Sequence, residues 1–110
     1  MALTPIKIIG SKYVENALTL QYTSAATTTI TAAVLTNESA VNVTVSVYLV
    51  ESGDTAGGDN EFIASKVIPP GRSYFCPELI GQTLSRSDFI STIADVASSV
   101  NIRISGTQFS

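Results

Sequence analysis

The chain has 110 residues, enough for one domain with its own core and too few for two. Its net charge is −3, and its six cations (Lys7, Lys12, Lys66, Arg72, Arg86 and Arg103) are scattered, which argues against a phosphate-binding surface and so against nucleic-acid binding. Histidine is absent and cysteine occurs once, which removes His-dependent triads, ordinary zinc sites and any intrachain disulfide.

Composition favours strands. Val, Ile and Thr make 34 of the 110 residues, and their branched side chains suit a pleated surface better than a helix. Charged residues are 14% and hydrophobic residues 45%, a rich ratio for a small monomer that reads either as a well-filled core under a Ser/Thr-coated surface or, preferred here, as apolar excess in a subunit interface. No N-terminal run resembles a signal peptide and no apolar stretch approaches the ~18 residues of a membrane span. The chain is expected to be made and folded inside a cell, away from membranes.

Residues 5 to 9, PIKII, begin the pattern as a first short strand or an arm, closed by Gly10. Pro5 discourages regular pairing, and Ile6, Ile8 and Ile9 are apolar enough to dock on a neighbour. Residues 1 to 16 are therefore read as an arm or a first strand, and 17 to 110 as the folded domain. Residues 17 to 23 alternate, with Leu18, Leu20 and Tyr22 on one face. Residues 28 to 36 place Ile30, Ala32 and Val34 on one side. Residues 41 to 50, VNVTVSVYLV, alternate most regularly, with Val41, Val43, Val45, Val47 and Leu49 facing a core.

The segment ESGDTAGGDN at 51 to 60 is a loop by composition. Residues 61 to 68 form the next strand, and Pro69-Pro70-Gly71-Arg72 a rigid turn. Residues 73 to 76 make a brief strand before the less regular 77 to 87. Residues 89 to 97 fit a helical face or a strand, and the strand is preferred for its neighbours. Val100, Ile102 and Ile104 alternate in a last strand ended by Gly106. Seven to eight short strands without a convincing helix predict an all-β, single antiparallel β-sandwich, Ig-like or jelly-roll-like.

No catalyst emerges. Cys76 lies between Phe75 and Pro77 with no adjacent cation and reads as a packed, inert thiol. Carboxylate pairs are the remaining route to hydrolysis, yet most acids fall in turns and no tryptophan is present to line a sugar cleft. Asp54, Asp59, Asn60 and Glu61 carry oxygen ligands, but their spacing departs from a calcium-binding EF-hand loop, and they read as a soluble hairpin tip. No enzyme activity, cofactor or metal is expected. The asparagines of Asn37-Glu38-Ser39 and Asn42-Val43-Thr44 read as turn and strand residues rather than glycan acceptors.

A strand ending in Asn37, a short Ser/Ala connection and then VTVSVYLV resembles a domain recurrent in tailed-bacteriophage structural proteins. The likeness continues through VIPPGRSY and LSRSDFISTIADVASSVNIRISGTQF, where Asp88 stands at the aspartate of a Gly-Asp turn, Ser87 replaces the glycine, and Asn101 to Gly106 match a closing strand. It spans residues 13 to 109 and implies an Ig-like virion protein. A capsid decoration or cement protein bound to the major capsid protein is the first expectation. A neck, collar or tail ring component is the second, and a receptor- or carbohydrate-binding module outside any virion is the third. Self-association as a trimer or ring is expected, with Ile6, Ile8, Ile9, Asp54, Asp59 and Glu61 as partner-contacting residues.

Overall fold

Strong β-formers separated by Gly-, Pro- and Ser-containing turns set the element order. The computed structural model describes residues 3 to 109, all strand and connection with no helix. The strands are β1 (Leu3–Tyr13), β2 (Thr19–Thr23), β3 (Thr28–Asn37), β4 (Val43–Val50), β5 (Glu61–Ile68), β6 (Ser73–Tyr74), β7 (Thr83–Leu84), β8 (Phe89–Ala94) and β9 (Val100–Phe109). One sheet runs β1-β9-β3-β6, with β7 also on β3, and the other runs β2-β8-β4-β5. All pairs are antiparallel.

The pairing is concentric: β1 with β9, β2 with β8, β3 with β6 and β7, β4 with β5. That winding is the jelly roll, so of the two sandwich types this chain takes the rolled one. The implied immunoglobulin-like order, in which strands A, B, E and D share a sheet, is replaced by it. The residue 89 to 97 segment is strand through Ala94, with Ile90, Thr92 and Ala94 turned inward.

The core lies between the sheets. Val43, Val45, Val47 and Leu49 of β4 meet Ile30 and Leu35 of β3 and Ile102 and Ile104 of β9 in one buried cluster. Val41 precedes β4 and is exposed. Irregular register changes which side chains reach this core. A shift between Ile30 and Ala32 turns Ala33 and Leu35 inward and sends Ala32 and Val34 out, against the simple alternation expected.

A similar shift in β1, between Lys7 and Ile9, lets two consecutive residues, Ile8 and Ile9, both enter the core. The arm reading of residues 1 to 16 therefore gives way to a strand running past Gly10 to Tyr13 and paired along β9; Met1 and Ala2 lie outside the described residues. Pro5 is accommodated because β1 is an edge strand, where a missing N–H can face outward.

Gly106 does not end β9, which continues to Phe109. A Cβ built there would lie 2.2 Å from the Thr29 carbonyl oxygen and 2.7 Å from Ile8 Cδ1. Glycine is needed for close approach of β9 to β3.

Asn37 closes the far end of β3 and is fully buried. Its Nδ2 donates to the Val41 carbonyl at 2.8 Å and the Ile68 carbonyl at 2.7 Å, while Oδ1 accepts from Ser39 N at 2.9 Å and Ser39 Oγ at 2.7 Å. Its backbone accepts from Gly71 N and donates to the Arg72 carbonyl.

Three substitutions test these constraints by chemical denaturation. Gly106→Ala should destabilise by about 3 kcal/mol or prevent folding, because backbone must move, whereas Gly10→Ala, with nothing within 4 Å, should be nearly neutral. Equal effects would remove the close-approach argument. Asn37→Asp should cost about 3 kcal/mol or more, since an acceptor-only group would face two carbonyls that now receive hydrogen bonds.

Candidate functional site

A rolled sandwich offers function its four sheet edges and two loop-bearing ends. The edges are β1 and β6/β7 in one sheet and β2 and β5 in the other. Unpaired N–H and C=O groups on an edge invite another strand unless the edge is guarded. β1 carries Pro5, Lys7, Lys12 and two register shifts. β5 carries Lys66, two register shifts and Ser65 at φ 47°. β6 and β7 are only two residues each.

β2 differs. Its sequence TLQYT holds no charge and no proline, and its one register shift comes after Leu20. Leu18 and Leu20 are 52% and 55% exposed. Leu20 pairs with Ser91 on the outer face of the sheet, while Tyr22 packs partly against the core. The three residues expected on one face are thus divided, and the leucines are left for solvent or a neighbour. Sequence reasoning missed this because alternation alone does not say which face is covered.

The two ends of the β5 side differ in charge. At one end, the 51 to 60 loop and the 82 to 88 turn enclose a cavity of about 330 Å³ lined by Glu51, Asp54, Asp59 and Asp88 over Leu49, Phe62 and Leu84. Asp88 ties the two segments together, accepting from Ser52 N at 3.0 Å and Ser85 N at 2.8 Å. Ser87, just before Asp88 in the turn, has φ 74°, a left-handed conformation that favours glycine. Asp54 and Asp59 are exposed, whereas Glu61 sits on β5 beside Tyr48 and, after burial of the ring, helps hold that phenol above its ordinary pKa. Asn60 is turned inward, its amide accepting from Gly57 N and donating to the Thr55 carbonyl. Among the described residues no three carboxylate or thiol groups converge to hold a metal ion.

At the other end, Lys66, Arg72, Ser73 and Tyr74 line a cavity of about 370 Å³ between β5 and β6. Lys66 Nζ lies 4.7 Å from the Tyr74 ring centroid, a cation–π distance. The Tyr74 hydroxyl donates to Glu78, and burial together with this carboxylate raises the phenol to about 12. This basic end is absent from the sequence expectations because its two cations are six positions apart and meet only across the turn.

The expected partner-contacting residues are thereby dispersed. Ile8 and Ile9 are interior to the protein's own core, which corrects their assignment to a partner, and Ile6 is half-buried. Asp54 and Asp59 share the acidic cavity, and Glu61 lies outside it.

No family model matches the chain, and no curated protein matches it. A solved structure from Bacillus endospore appendages, which form a family of disulfide-linked pili, matches with a TM-score of 0.60 at 12% identity, covering 98% of this chain and 88% of that one. The likeness is one of fold.

Cys76, the single thiol, is buried with φ 50°, and its Sγ donates weakly to the Tyr74 carbonyl at 3.5 Å. Burial, with a smaller contribution from Glu78, pushes its pKa up to about 12, so the nucleophilic thiolate is scarce at neutral pH. A thiol reagent at pH 8 should label native protein far more slowly than protein unfolded in guanidinium. Equal labelling rates would contradict the burial.

Proposed function

We propose that this chain is a non-enzymatic structural subunit that assembles with copies of itself through the β2 edge. The observation that carries this reading is the uncharged, proline-free edge flanked by exposed Leu18 and Leu20, beside three edges that are guarded or very short. The fold shared with a pilus subunit supports it. Where β2 of each copy meets a different surface of the next, the repeated step gives a ring if the rotation closes and a filament if it does not.

Covalent linkage of the pilus kind does not extend to this chain in the proposal. One cysteine per copy joins at most two copies, so it cannot link a continuous polymer, and Cys76 is buried besides. Assembly here is non-covalent.

A second reading places the subunit in a tailed-phage particle, as a decoration protein on the capsid shell or a neck or tail ring. The positive φ of Ser87 favours it, because the resembling turn carries glycine at that position. Stoichiometry in purified particles separates the two phage roles: hundreds of copies for decoration, about six or twelve for a ring.

The test of self-assembly is light scattering at tens of micromolar. The chain should form species much larger than a pair, unchanged by reductant, and Leu20→Lys should abolish these large species while leaving the β-rich circular dichroism intact. A chain that never exceeds a pair would refute edge assembly, and large species lost on adding reductant would refute its non-covalent character.

A further inference from the structure

The side of the sandwich opposite β2 has an unequal distribution of charge that no assembly through β2 uses. β5, the edge of one sheet, faces β6 and β7, the short edge of the other, and both cavities open in this slot. β7 pairs with Thr28 and Thr29 at one end of β3, and β6 with Leu35 and Thr36 at the other, which separates the two cavities by ~20 Å of strand.

The β7 end holds Glu51, Asp54, Asp59 and Asp88, with Arg86 in the adjoining turn. The β6 end holds Lys66 and Arg72, with Glu78 bound to the Tyr74 hydroxyl nearby. The first end is strongly negative and the second weakly positive. Large apolar groups are exposed along the same side: Phe62 and Val67 on β5, and Ile80 between β6 and β7.

We propose that this side is a two-fold contact between two copies of the chain, in which the acidic cavity of each copy receives the Lys66–Arg72 end of the other. A two-fold axis through the middle of the slot reverses the direction of the side. Negative then meets positive twice, and Phe62, Val67 and Ile80 come under cover. A second copy is the fitting occupant because the chain itself supplies the complementary charge at the matching distance. The contact stops at two. It does not depend on the β2 edge, since the two lie on opposite sides, and both contacts together join pairs into longer assemblies.

The test uses the full chain carrying Leu20→Lys, so that edge assembly is blocked and the pair is read by itself. Native mass spectrometry and sedimentation at low salt should give twice the 11.5 kDa chain mass. Asp59→Lys or Arg72→Glu, each added separately, should weaken the pair by about tenfold or more, because symmetry makes one reversal spoil two contacts. Mixing the two variants in equal amounts should restore a one-to-one pair, since each then offers what the other lacks. Raising salt to about 0.5 M should weaken the pair, as screening shortens to a few ångström. Circular dichroism of each variant checks that the fold is retained. A wild-type slot that stays monomeric at 100 µM (on the order of solution concentrations used for weak pairs), single reversals that change nothing, or a mixture that stays monomeric or grows beyond pairs would each overturn the proposal.

Discussion

The buried amide of Asn37 is the interaction on which the geometry of this protein depends. It stands where the chain leaves one sheet for the other, and its four hydrogen bonds join the β3–β4 connection to the end of β5. Its backbone holds the Pro69–Arg72 turn on the opposite flank. A carboxamide suits this place because it offers two donors and an acceptor on one planar group, so both carbonyls and both serine donors are met without charge. An apolar residue would leave the buried Ile68 carbonyl without its donor, at a cost of about 1–3 kcal/mol, and would release the half-buried Ser39 contacts. The distance between the sheets at this end, and the position of Arg72 beside Tyr74, follow from it.

The β9 strand is a second constraint. It is paired on both sides, and Gly106 lets it come close to β3 while Ile8 fills the space beside it. Register shifts on both neighbours near this point are the local response to that approach. They have a functional consequence: β1 becomes an irregular, guarded edge with its isoleucines used internally. The edges left outside this pairing are β2 on one side and the β5–β7 slot on the other.

Such an arrangement keeps the interior closed and leaves the surface to make contacts. The buried polar side-chain atoms are all hydrogen-bonded among the described residues, which leaves edges and ends as the surface open to contacts. The acidic loop and the Lys66–Arg72 turn lie at opposite ends of one side because β5 runs between them. One strand thus gives the side its polarity.

All-β architecture, the positions of most strands and the burial of Cys76 were legible in the sequence, because alternation, turn residues and an apolar neighbourhood are local properties. The β4 alternation is a good instance: Val43 to Leu49 face the core as their spacing requires. The jelly-roll winding was not legible against the Ig-like order, since both use the same short strands and differ only in which distant segments pair. Nor was the burial of consecutive Ile8 and Ile9, or the outward turn of Ala32 and Val34, because a bulge depends on the neighbouring strand's register. Gly106 read as a stop signal until a carbonyl from β3 proved to be the reason for it. The exposed leucines of β2 and the charge-divided slot belong to tertiary structure alone: which face is covered, and which scattered charges meet, is decided by long-range pairing that no local pattern encodes.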